Sequence, residues 1–246
     1  MTESATRKTD SGVKDPRIIV ALDFATEREA DALVARLDPA RARLKIGKEM
    51  FTRFGPEMVR RYQGQGFEIF LDLKFHDIPN TVARAVAGAA ELGVWMVNVH
   101  AMGGEKMMTM AAEALQEFGK DRPKLIAVTV LTSMDASQLS GVGIMDTVEN
   151  EVTRLAVLAR NSGLDGVVSS AREAGIIRKS IPGEFLIVTP GIRPKWAETN
   201  DQIRIVTPAD ALRGGSDYLV IGRPITRSQD PLEALRLISE EIEAVL

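Results

Sequence analysis

The sequence predicts an α/β fold made of one domain, a single (β/α)8 TIM barrel. From Arg17 onward, short runs rich in Val, Ile and Leu alternate with longer segments whose apolar residues recur at helical spacing, the pattern of βα units around a parallel sheet. Eight such units fit between Arg17 and Leu246 of the 246-residue chain, a length one barrel fills alone. The strand candidates are nearly all apolar on both faces, as strands are when helices cover them outside and a packed interior fills them inside.

Taken in order, RIIVALDF (17–24) is the first strand, and TEREADALVARLD (26–38) follows as a helix whose Thr suits an N-terminal cap. RLKIG (43–47) and FEIFLDLKF (67–75) are the second and third strands. The helix after them, PNTVARAVAGAAELG (79–93), opens on Pro and closes at Gly, each at the end where its backbone chemistry is tolerated. VWMVNVHA (94–101) is the fourth strand, and GGEKMMTMAAEALQEFG (103–119) the next helix, in which Met107, Met108 and Met110 read as core filler. KLIAVTVL (124–131), GVVSS (166–170), FLIVTPG (185–191) and YLVIGRPI (218–225) complete the strands. Helices TVENEVTRLAVLARNSG (147–163) and DPLEALRLISEEIEAVL (230–246) start at Thr and Asp. The longest stretch without periodicity is RPKWAETNDQIRIVTP (193–208), a length typical of a lid or binding loop. Residues 1–16 read as a flexible polar tail, leaving 17–246 as the barrel domain.

Composition removes several classes of function. Lys and Arg number 31 against 34 Asp and Glu, for a net charge of −3 without a long basic run, so no broad grip on nucleic acid or an anionic membrane surface is expected. There is no Cys, which rules out disulfide scaffolds, thiol catalysis and thiolate metal sites. His76 and His100 supply two imidazoles without a third ligand at suitable spacing, so no metal is expected. No apolar run approaches the roughly 18 residues of a membrane span. The start, MTESATRKTDSGVKD, lacks the apolar core of a secretory signal, and a cytoplasmic location is the expectation.

Active sites of such barrels lie at the carboxyl ends of the strands, and the polar residues there are few. Asp23 ends the first strand, Lys45 lies in the second, Asp72 and Lys74 end the third, and Asn98 and His100 end the fourth. Side chains two apart share a strand face, so Asp72 and Lys74 both point into the barrel interior or its mouth. Lys45 on the neighbouring strand comes within reach, and Asp77 begins the following loop. Buried charges are costly unless paired, and four of them make a poor stability device, which favours a catalytic role. GIRP (191–194) and GRP (222–224) follow the seventh and eighth strands, where barrels commonly hold phosphate.

DLKFHDIPNT (72–81) resembles the signature of the orotidine 5′-phosphate decarboxylase family in its bacterial form. ALDF (21–24), KIG (45–47), NVHAMGG (98–104), VTVLTSM (128–134), VTPGIRP (188–194), QIRIVTPADAL (202–212) and YLVIGRPIT (218–226) resemble further family segments in the family's order. The resemblance implies a Lys-Asp-Lys-Asp array of Lys45, Asp72, Lys74 and Asp77, with Lys74 as proton donor. It also implies a homodimer in which Asp77, Ile78 and Thr81 complete the neighbouring subunit's site. Asp23 would hold a ribose hydroxyl, Thr132 and Ser133 would contact the pyrimidine, and Arg193, Gln202, Gly222 and Arg223 would bind phosphate. The implied reaction converts orotidine 5′-phosphate to uridine 5′-phosphate and carbon dioxide with no metal or organic cofactor.

Two rival readings stand beside it. A sugar-phosphate decarboxylase or aldolase of the same broad suprafamily shares the Asp-x-Lys-x-x-Asp pattern but holds a divalent metal on carboxylates, and Lys45 stands where its acidic ligand is expected. The other rival is a barrel that binds nucleotide or sugar phosphate without catalysis.

Overall fold

The computed structural model describes residues 15–197 and 206–245. Eight parallel strands pair in chain order, and the eighth pairs with the first to close the barrel. They are β1 (Ile18–Leu22), β2 (Arg43–Gly47), β3 (Ile69–Phe75), β4 (Met96–His100), β5 (Lys124–Val128), β6 (Gly166–Val168), β7 (Leu186–Pro190) and β8 (Tyr218–Ile221). Around them run α1 (Glu27–Val34), α2 (Lys48–Gln63), α3 (Pro79–Glu91), α4 (Gly104–Ala114), α5 (Ala136–Gly141), α6 (Val148–Asn161), α7 (Ala171–Ser180), α8 (Pro208–Arg213), α9 (Arg223–Thr226) and α10 (Pro231–Glu243).

Helix starts follow the cap chemistry read from the sequence. Thr26 accepts from the Glu29 N–H, Thr147 from the Asn150 N–H, and Asp230 from the Leu232 and Glu233 N–H groups. Most elements are shorter than predicted, and at three of them the local cause is plain. The helical pattern of 103–119 stops at Ala114 and continues as a 3-10 turn (Gln116–Asp121) around Gly119 at φ 54°. The sixth strand ends at Val168 because Ser170 caps α7 through the Arg172 N–H. The eighth ends at Ile221 because Gly222 turns the chain and Pro224 sits in the first turn of α9, where its missing N–H is harmless.

Strand alternation divides the core in two. Ile18, Val20 and Leu22 face outward into the large cluster under the helices, to which the buried Met107 and Met108 also belong. Ile19, Ala21, Phe70, Met96, Ile126, Val188 and Val220 form a separate cluster filling the lumen. A polar layer lies at each end of this plug.

The floor is built on Arg43, which is 5% exposed. Its guanidinium lies 4.0 Å from the Trp95 ring centroid and is ion-paired with Asp15 and Glu68, both at 2.6 Å. It also donates to the Pro16 carbonyl, while the Tyr218 hydroxyl donates to Asp15 at 2.8 Å. Asp15 and Pro16, the last residues of the predicted tail, are thereby held against the barrel. Because Arg43 combines stacking with charge pairing, Arg43→Ala is expected to lower unfolding free energy by about 2 kcal/mol. Urea denaturation checks this, with catalytic parameters expected to stay near wild type because the opposite end of the barrel is untouched.

Candidate active site

The upper polar layer is continuous with the lumen plug. Lys45 follows Arg43 on the inward face of β2, Asp72 follows Phe70 on β3, and Asn98 follows Met96 on β4. Asp72 is 8% exposed, and its carboxylate is held from three sides. Lys74 Nζ lies 2.6 Å from Oδ1, Lys45 Nζ lies 3.2 Å from Oδ2, and Asn98 Nδ2 donates to Oδ1 at 2.7 Å. Lys45 also reaches Asp23 Oδ1 at 3.6 Å. Burial by itself would raise the Asp72 pKa, but Lys45, Lys74 and the two hydrogen bonds outweigh it and hold the carboxyl below its ordinary value.

Asp23, Lys45, Asp72 and Lys74 line a cavity of about 310 Å³ with Thr132, Arg193, Gly222 and Arg223. Ser133 lies in an adjoining pocket of about 380 Å³ that shares Thr132 and Gly191 with the first. Arg193 is buried, and its Nη1 donates to the Ile192 carbonyl at 3.0 Å. Its backbone N–H bonds the Val206 carbonyl at 3.1 Å, which ties together the two described ends of the 193–208 stretch. Gln202 lies outside the described residues. A larger groove of about 1020 Å³ opens at the amino ends of the strands, lined by Arg17, Lys124, Asp165 and Asp217 among others. Barrel chemistry belongs to the carboxyl ends, and the charged array is found there.

Asp77 does not join the array within one protomer. The chain leaves the barrel after Phe75, and the exposed Asp77 carboxylate accepts from the Ile78 N–H at 2.6 Å. Thr81 is exposed as well, and Ile78 is 66% exposed, high for so large an apolar side chain. Asp23 is the second carboxylate on Lys45 instead. From the sequence Asn98 stands only as a polar residue ending the fourth strand, with nothing that links it to Asp72. A lone amide in the otherwise apolar run VWMVNV (94–99) was the available signal, since a polar side chain buried there needs partners.

Asp23 and Asp72 are bridged by the Lys45 ammonium, and among the described residues no group of three His, Cys, Asp or Glu side chains is placed to hold a metal ion. His76 and His100 stack with ring centroids 5.5 Å apart. Among the described residues no helix is long and apolar enough to cross a membrane.

The profile of the orotidine 5′-phosphate decarboxylase / HUMPS family matches residues 16–238. This chain belongs to that family. It is 57% identical to a Vibrio campbellii orotidine 5′-phosphate decarboxylase over 231 residues, covering 94% of this chain and 99% of the relative. A crystal structure of orotidine 5′-phosphate decarboxylase from Lactobacillus acidophilus superposes with a TM-score of 0.82 at 38% identity, covering 93% of this chain and 99% of that one. An uncharacterized conserved protein from Geobacillus kaustophilus gives a TM-score of 0.81 at 41% identity, over 92% of this chain and 99% of the other.

His100 gives this chain's stability a pH dependence. Burial, with His76, Lys48 and Lys74 nearby, pushes its pKa down to about 4, against roughly 6.5 in an unfolded chain. Between those values the unfolded chain binds a proton that the folded chain refuses, so stability falls as pH drops through this window and is regained above it. Asp72 acts lower, since its depressed pKa removes stability only as pH falls below the ordinary carboxylate value. Thermal melting at intervals from pH 7 to 4.5 should show a shallower decline for His100→Gln than for wild type.

Proposed function

We propose that this protein decarboxylates orotidine 5′-phosphate to uridine 5′-phosphate and carbon dioxide, the last step of de novo pyrimidine nucleotide synthesis, without metal or organic cofactor. The reading rests on one observation above the rest, the Lys45–Asp72–Lys74 ion array at the carboxyl end of the barrel. Breaking the bond between C6 and the carboxylate leaves an electron pair in the pyrimidine ring plane, with no adjacent carbonyl to delocalise it. Stabilisation must then come from cations placed in advance. Lys74, oriented by Asp72, meets that charge and gives its proton to C6, and solvent later restores the proton to the amine.

The remaining roles follow the family resemblance, and Asp23, Thr132, Arg193, Gly222 and Arg223 line the cavity. Asp23 takes a ribose hydroxyl, Thr132 and Ser133 meet the pyrimidine, and Arg193, Gln202, Gly222 and Arg223 take the phosphate. Phosphate binding far from C6 supplies energy for ordering the site. Lys45 stands between Asp23 and Asp72, at 3.6 and 3.2 Å, where an ammonium takes the place a bridging metal would need. This supports the cofactor-free reading over the metal-dependent sugar-phosphate reading.

The active unit is a homodimer in the cytoplasm, with Asp77, Ile78 and Thr81 entering the neighbouring site. The exposed Ile78 beside the charged Asp77 suits burial against a second copy. In purified protein with excess chelator, the ultraviolet absorbance of orotidine 5′-phosphate should fall as uridine 5′-phosphate forms. Turnover of a sugar phosphate instead, and only with magnesium, would overturn the reading. Lys74→Ala should lose at least about 10³-fold in kcat. Mixing Lys74→Ala with Asp77→Ala subunits should restore part of the activity, and no recovery after verified subunit exchange would refute shared sites.

A further inference from the structure

The pairing of β3 with β4 is broken where the array lies. Phe70 pairs with Met96 and Leu71 with Val97, but the next pair is Phe75 with Val99. Asp72, Leu73 and Lys74 therefore stand opposite Asn98 alone. A bulge of this kind leaves backbone groups without ladder partners. Lys74 lies at its end with φ 51°, the one described non-glycine residue in the left-handed region. That conformation crowds Cβ against the following carbonyl and persists only where surroundings enforce it.

The Asn98 side chain fills the gap. It is fully buried. Its Oδ1 accepts from the Lys74 backbone N–H at 2.8 Å, and its Nδ2 donates to Asp72 Oδ1 at 2.7 Å. A backbone N–H can only donate and an ionised carboxylate can only accept, so the two partners allow the amide a single orientation. One side chain thus fixes where the Lys74 backbone turns and which way the Asp72 carboxylate faces. The Lys74 ammonium is attached to the first and ion-paired to the second.

We infer that Asn98 is a positioning residue for the decarboxylation, holding the Lys74 ammonium at the reacting carbon through both its backbone and its carboxylate partner. The inference rests on the proposed function for its kinetic consequence and on the bulge geometry for its structural one. Misplacing a catalytic group by about 1 Å costs on the order of 10²-fold in rate. Asn98→Ala is therefore expected to lower kcat by about 10²-fold. KM for orotidine 5′-phosphate should stay within about threefold, because Arg193, Arg223 and Thr132 are untouched.

Asn98→Asp separates positioning from bulk packing. The introduced carboxyl has the amide's shape, and its environment holds Asp72, Lys45 from β2, Lys74 from β3, Asp23 beyond β1 and His100 on its own strand. Ionised, it repels Asp72 and donates nothing. Protonated, it donates to Asp72 and accepts from the Lys74 N–H as the amide does. The ratio of variant to wild-type kcat should accordingly rise as pH falls from 8 to 5.5, a dependence that loss of packing alone does not produce.

A crystal structure of Asn98→Ala supplies a readout independent of turnover, with Lys74 expected to leave φ near 51° and Nζ to move away from Asp72. Kinetics within threefold of wild type, a flat pH ratio for Asn98→Asp, or an unmoved Lys74 in the crystal would each overturn the inference. Failure of both variants to fold would assign Asn98 to folding and overturn it too. A wild-type protein that leaves orotidine 5′-phosphate intact would count against the proposed function alone, and the crystal structure would then decide the role of Asn98.

Discussion

A carboxylate that is 8% exposed must be matched on every side, and Asp72 imposes that requirement on three strands. β2 answers with Lys45, β3 with Lys74 and β4 with Asn98. Each of these groups is then held in turn by the carboxylate, so the constraint is mutual. The bulge between β3 and β4 belongs to the same arrangement. A regular ladder would leave Lys74 on a straight strand, whereas three residues set against one bend the chain and turn it to the left-handed region at Lys74.

The lumen shows how such a charged layer coexists with a stable barrel. Its middle is apolar, filled by Phe70, Met96, Ile126 and their neighbours, and its polar groups lie only at the two ends. Below, Arg43 stacks on Trp95 and shares Asp15 and Glu68. Above, the array borders a cavity. The lower charges are saturated by protein partners and serve closure, whereas the upper ones face open space where a substrate can lie. The same alternation on β2 places Arg43 in one layer and Lys45 in the other, with two opposite uses.

Much of the architecture was legible because each element carried its own local signal. All eight strands lie within the apolar runs, since burial on both faces leaves little freedom in their composition. Helix starts at Thr26, Thr147 and Asp230 were readable from cap chemistry that acts over three residues. Boundaries were less so where two local preferences competed. Ser170 and Pro224 lie inside apolar runs that read as strand, yet each belongs to the start of a helix.

By itself the sequence determined the barrel, its strand order and the meeting of Lys45, Asp72 and Lys74, because period-two alternation on adjacent parallel strands dictates which side chains share a face. Tertiary structure decided what depends on register and on groups distant in the chain. The three-against-one bulge, the left-handed Lys74 and the double hydrogen bond of Asn98 arise only once β3 and β4 lie side by side. Asp77 likewise reads as a fourth member of the array from spacing alone. The strand ends at Phe75 and the chain beyond it carries Asp77 out of the barrel, which counting residues along a strand does not register.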